Sequence, residues 1–145
     1  MSVETPIAGY ASLFWKRDLA NDVVAQGAFG ASLARTAPAR VKMLHQHETA
    51  TPIGVWDEVA EDAQGLFVRG RIIEAGAQGQ MCAALVRAGA LDGLSIGFRA
   101  VKARPDGTQR LRVLTEIDLW EVSLVTFPML PGARLIRPRP AARAA

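Results

Sequence analysis

The sequence predicts a mainly β protein with flanking helices, an α+β chain whose strands form a closed or curled antiparallel β-barrel with short helices. Three observations lead there. Alternating apolar segments outnumber helical ones, and tight-turn signals join them as hairpins. The chain has 145 residues, half of them hydrophobic, which is enough for one core and too little for two. One domain is therefore expected over residues 1–135, followed by a basic Pro/Arg/Ala tail over residues 136–145.

Tyr10 to Trp15 reads as the first strand, and "KRDLANDVVAQG" after it as a polar loop. A short helix from about Ala28 to Ala34 supplies Phe29 and Leu33 to the core, and "TAPAR" breaks the pattern. "VKMLHQH" is a strand over residues 41–47. "IGVWDEVAEDAQGLFVRGRII" reads as a hairpin turning at Asp62 to Gly65. "AQGQMCAALVRAGA" has helical spacing, with Met81, Leu85 and Ala88 on one side and Gly89 as its stop. "LSIGFRAVKA" alternates, turns at "RPDGT", and returns as "QRLRVLTEIDLWEVSLVTF". That return is too long for one ordinary strand, so a bend or bulge is expected near Asp118. Pro128 and Pro131 end the sheet.

Lys+Arg 17 against Asp+Glu 14 gives +3, and the excess comes largely from Arg134, Arg137, Arg139 and Arg143. No run of basic residues interleaved with aromatics precedes residue 134, which argues against nucleic acid as a partner. Cys82 is the only cysteine, so no internal disulfide can form, and its mid-helix place in "QMCAAL" suits a packed small side chain better than a thiol catalyst. No secretory leader and no apolar run near the roughly 20 residues of a membrane helix is present. A soluble protein made in the cytosol, without membrane contact, is expected.

"GLSIGF" places Ser95 with a glycine two residues away on each side. In an extended chain Leu94, Ile96 and Phe98 face one way while Gly93, Ser95 and Gly97 face the other. Glycine weakens a strand and is best explained where another backbone approaches closely. A peptide substrate is one such backbone, which makes Gly93 and Gly97 candidate substrate-binding residues. "GLSIG" also fits the G-x-S-x-G nucleophile elbow, but that fold orders its triad serine, acid, histidine, whereas His45 and His47 precede Ser95. A hairpin also follows the serine where an elbow would start a helix.

Any serine–histidine chemistry must use His45 or His47, with an acid drawn from Glu48, Asp57, Asp118 or Glu121 among others. "HQH" would also put two imidazoles on one strand face as half of a metal site. Third and fourth ligands have no source, so neither metal nor cofactor is expected. Lone strand serines are more often structural than nucleophilic, and local chemistry leaves the choice open.

Several segments in order, "GYASLF", "NDVVAQGAF", "VKMLHQHETATPIGVW", "GLFVRGRI", "ALVRAGALDGLSIGF", and "EIDLWEVSLVTFP" followed by "PGARL", together resemble the prohead maturation proteases of tailed bacteriophages. These are assemblin-like serine proteases, related in fold to herpesvirus maturation proteases, and the resemblance spans roughly residues 8–135. It implies His47 as the base, Ser95 as the nucleophile and Glu121 as the third member. His45 stands where the phage family often has tryptophan, which leaves an alternative base two residues away. Alternation sets Trp120, Val122 and Leu124 on one face of the last strand, with Trp120 as a core anchor, and Glu121 and Ser123 on the other.

The resemblance further implies a serine endopeptidase that cleaves the major capsid protein precursor or scaffold, and itself, during assembly of a phage or gene transfer agent capsid. The expected place is inside the prohead, in the cytoplasm of a bacterial host. Scaffold and portal proteins are implied as further partners and a homodimer as the assembly. Many relatives continue into a scaffolding region; here scaffolding is expected from another protein or from the capsid protein itself. The alternative is a capsid assembly factor that keeps a protease-like fold for binding without catalysis.

Overall fold

The computed structural model describes residues 3–108 and 110–137. Its centre is a curled seven-stranded sheet of β1 (Glu4–Leu13), β2 (Asp22–Val24), β3 (Lys42–His45), β4 (Gly54–Glu61), β5 (Gly65–Ile73), β6 (Gly93–Asp106) and β7 (Leu111–Val125). The order is β1-β5-β4-β3-β7, with β2 also on β7 and β6 along the other edge of β7. Residues 133–136 draw the two ends of the curl together. Leu94 N donates to Ala133 O at 2.9 Å, Leu135 N to Asp92 O at 2.8 Å and Ile136 N to Ala8 O at 2.8 Å. Among the described residues the fold is thus mainly β with two short α-helices, α1 (Gly30–Arg35) and α2 (Ala77–Ala88), and one 3-10 turn over Pro38–Arg40.

β4 and β5 form the expected hairpin, with Asp62 Oδ1 accepting from Gln64 N at 2.7 Å and Gly65 N at 3.0 Å to shape the turn. The first strand starts earlier than expected and stops at Leu13, because Glu4 to Leu13 pair with β5 from Ile73 to Gly65. Pro6 and the polar Glu4 and Thr5 hid its beginning, and Trp15 turns away with φ 64°. The polar loop contains β2, which pairs parallel with β7 through Asp22↔Arg112 to Val24↔Leu114. A bidentate bond from Arg112 Nε and Nη2 to Asp22, both 2.9 Å, fixes that short strand.

Gly89 ends α2 in the left-handed conformation, φ 79°, as expected. The helix face is different. Met81 is exposed, and Gly79, Cys82 and Ala83 are buried instead. A Cβ on Gly79 would lie 1.9 Å from Ile73 O, so this small-residue stripe lets the helix sit directly on the end of β5.

β7 carries the expected irregularity. Gly97 pairs with Glu121 and Phe98 with Leu119, so Trp120 is an extra residue with no partner on β6. A one-residue insertion inverts the alternation. Ile117 and Leu119 point to the core before the bulge, Val122 and Leu124 after it, and Trp120 turns out to solvent rather than anchoring the core. Trp56, Phe29, Met43 and Leu66 fill the interior with 0% exposure, each contributing about 1.5–3 kcal/mol by burial. Among the described residues no helix is long and apolar enough to cross a membrane. Of the expected tail, residues 138–145 lie outside the described residues.

Candidate active site

β3 runs parallel to β7, Lys42↔Glu121 to His45↔Leu124, and ends at His45 rather than continuing to residue 47. Gln46 and His47 then take φ 54° and 59°, and Glu48 N donates to His45 O at 3.0 Å. Two consecutive left-handed residues make a tight turn that usually selects Asn and Gly. In larger side chains it costs on the order of 1–2 kcal/mol per residue. Four bonds to the end of β7 and beyond offset that cost. Gln46 N donates to Leu124 O at 2.9 Å, its Nε2 to Thr126 Oγ1 at 2.7 Å, Thr126 N to Gln46 Oε1 at 3.1 Å, and His47 N to Ser123 Oγ at 3.0 Å. His45 and His47 therefore do not share a strand face.

The turn delivers His47 to Glu121, 74 residues away, with Nδ1 to Oε2 at 2.6 Å. The Glu121 side chain is only 11% exposed, and its Oε1 accepts from Ser123 Oγ at 2.9 Å. The hydrogen bond from Glu121 is the main cause that raises the His47 pKa above the ordinary 6.5; partial burial opposes it and the carboxylate charge assists it.

Ser95 is 7% exposed and pairs in register with Ser123, beside the Gly97↔Glu121 pair. It lines one cleft of about 190 Å³ together with His47, between apolar walls that include Leu94, Ile96 and Leu130. Close approach explains both neighbouring glycines, but the approaching groups belong to the protein. A Cβ on Gly97 would lie 2.6 Å from Glu121 Cδ, Cγ and Oε2, and one on Gly93 2.5 Å from Val125 O and 2.9 Å from Pro128 Cδ.

The other acids have different partners. Glu48 Oε1 accepts from Ala50 N, Asp57 holds Arg71, and Asp118 holds Arg35 and Arg99. Arg134 is tied to Asp92 and Pro131 O. Cys82 is fully buried, which pushes its thiol up. Among the described residues no group of three or more His, Cys, Asp or Glu could hold a metal ion. Gln46 and Ser123 are the site residues that sequence reasoning did not single out. Strand alternation does carry a signal for Ser123, because it puts residues 121 and 123 on one face.

With Nδ1 engaged by a buried carboxylate, the imidazole has Nε2 available to accept a proton, and a serine hydroxyl lines the same cleft. That equips the site for base-assisted attack by an oxygen nucleophile. The curled, mainly β sheet with few short helices is an assemblin-like fold. The chain belongs to the caudovirus prohead serine protease family, whose profile matches residues 2–142. It is 35% identical over 122 residues to the prohead protease of Enterobacteria phage HK97, covering 83% of this chain and 54% of that one. Identity to the prohead protease of Escherichia phage T5 is 30% over 123 residues, covering 84% and 57%. The chain thus spans a little over half the length of these two relatives.

Solved structures agree in fold at low identity. The capsid assembly protease of bacteriophage T4 matches with a TM-score of 0.66 and 13% identity, covering 86% of this chain and 90% of that one. KSHV protease in complex with a hexapeptide phosphonate inhibitor matches with a TM-score of 0.63 and 14% identity, covering 92% and 64%.

Proposed function

We propose that the chain is a capsid maturation serine endopeptidase that cleaves the major capsid protein precursor or scaffold, and itself, inside an assembling prohead. The observation that carries this reading is the 2.6 Å bond from His47 Nδ1 to the buried Glu121 carboxylate, with His47 and Ser95 on one cleft. The substrate backbone meets β6 at Ser95, which lines the cleft. His47 Nε2 takes the Ser95 Oγ proton as that oxygen adds to the scissile carbonyl, and gives it to the leaving amine when the C–N bond breaks. Water, deprotonated by the same nitrogen, then releases the acyl group from Ser95. Glu121 holds the ring in the tautomer that exposes Nε2 and stabilises its cation. Family membership supports a capsid protein as substrate. Such an enzyme, made in the same cytosol as its substrate, needs control; dimerisation at the high concentration inside a shell supplies it by mass action.

Co-expression with the capsid protein tests the reading. Ser95→Ala is expected to leave a folded chain, since one oxygen is removed, and to stop trimming of the precursor. His47→Ala should do the same, whereas His45→Ala should retain most activity because Nδ1 of His47 holds the carboxylate. Trimming by Ser95→Ala at the wild-type rate would remove Ser95 from the mechanism, and trimming at that rate with the protein left out would leave a non-catalytic assembly factor.

A further inference from the structure

The hydroxyl of Ser123 lies where an aliphatic side chain would be expected. Ser123 has 0% exposure, its strand neighbours Val122, Leu124 and Val125 are buried and apolar, and it sits between Ser95 on β6 and Leu44 on β3 in the register of the sheet. Burying a hydroxyl costs about 1–3 kcal/mol unless it is hydrogen-bonded. Here both capacities of the hydroxyl are used, and both go to the same pair of residues. The backbone N–H of His47 can only donate, so Ser123 Oγ accepts that bond at 3.0 Å. The hydroxyl proton is then free for Glu121 Oε1, at 2.9 Å.

The bonds form a closed path in which both arms of donation start at His47 and converge on the Glu121 carboxylate. It runs from the His47 main chain to Ser123 Oγ, from that hydroxyl to Glu121 Oε1, across the carboxylate to Oε2, and back to Nδ1 of the His47 ring. We infer that Ser123 is a positioning residue of the site: one side chain fixes both the left-handed backbone that presents His47 and the rotation of the carboxylate that receives its ring. Without the hydroxyl, the buried Oε1 loses its donor and the His47 amide loses its acceptor, so ring and main chain become free to move relative to each other. The role is distinct from that of Glu121, which touches the imidazole directly, and from that of Ser95, which meets the substrate.

The inference rests on the proposed peptidase chemistry, and the experiment separates the two. Cleavage of a capsid-derived peptide is followed for wild type, Ser95→Ala and Ser123→Ala, together with the downfield proton resonance of the His47 Nδ1–H. Loss of a hydrogen bond to a charged group predicts a kcat about 10- to 100-fold lower for Ser123→Ala, with KM within about twofold of wild type. The Nδ1 proton resonance should shift upfield or broaden. An inactive Ser95→Ala with Ser123→Ala at wild-type kcat would overturn the positioning role and leave the peptidase reading intact. A lower kcat with an unmoved Nδ1 resonance would also overturn it. An active Ser95→Ala would instead sink Ser95 as the nucleophile, and with it the serine-peptidase reading. Should Ser123→Ala fail to fold, amide exchange in the wild-type protein decides. Protection of the His47 amide by about 100-fold or more supports the bond to Ser123, and exchange at the rate of a free amide overturns it.

Discussion

Gly97→Ala is expected to silence the site while leaving the fold standing. The added Cβ would lie 2.6 Å from three atoms of the Glu121 side chain, short of the 3.4 Å at which ordinary contact begins, so the carboxylate must withdraw by about 0.8 Å. An exposed glutamate would swing aside at little cost. This one is held by His47 on one oxygen and Ser123 on the other, so withdrawal strains or breaks both bonds. A displacement of about 1 Å in a catalytic group costs roughly 100-fold in rate, which sets the expected fall in kcat/KM. Overpacking of a single methyl costs about 1–3 kcal/mol, measurable as a lower denaturation midpoint with an unchanged slope. Gly93→Ala on the same strand is the control. Its Cβ meets the Val125 carbonyl and Pro128, away from the Glu121 carboxylate, so stability should fall further than activity per folded molecule. Peptide cleavage rates corrected for the folded fraction separate the two. A folded Gly97→Ala enzyme at the wild-type rate would show that the Glu121 position does not matter.

Two further outcomes follow from the same geometry. Glu121 raises the pKa of His47, and the base must be neutral to act, so kcat/KM should rise with pH through a midpoint above 6.5 that Glu121→Gln moves downward; a wild-type midpoint at or below 6.5 would contradict this. Stability runs the opposite way: the favourable His47 interaction is fully present below the unfolded value of 6.5 and is lost as pH rises through the raised folded value, which urea melts on the two sides of that window would detect. Cys82, buried and with its thiol pushed up, should resist alkylation in the native protein, and Cys82→Ala should keep full peptidase activity at a stability cost of about 1 kcal/mol.

The hairpin at Asp62, the left-handed stop at Gly89 and the irregularity near Asp118 were all legible in the sequence, because each depends on local turn chemistry or on strand length. What was not legible depends on partners far along the chain. Nothing in "DVV" or "KMLH" says that these short segments lie parallel to β7, and only that pairing sets His47 beside Glu121. The left-handed turn at Gln46 and His47 lacks the glycine or asparagine that would announce it, since its stability comes from Leu124, Thr126 and Ser123. Alternation expected Trp120 to be buried because it assumes an unbroken strand, and one extra residue is enough to turn the side chain outward. Met81 misled for a different reason: helical spacing identifies large apolar residues, while α2 meets the sheet through glycine and alanine.

β7 supplies Glu121 and Ser123, pairs with β6 along its length, and receives β2 and β3 on its opposite edge. A ribosome releases the chain N-terminus first, so the histidine and the prospective nucleophile emerge before the strand that joins them. Residues 4–73 contain all three strands of the β1-β5-β4 part of the sheet, but without β7 and Thr126 the His47 turn lacks every one of its four anchors. Those contacts span 76 or more residues, and such distant pairings close slowly. Birth of the site is therefore a late event in the life of each molecule: a half-made chain carries the histidine without the means to aim it, and the site does not yet exist on the polysome.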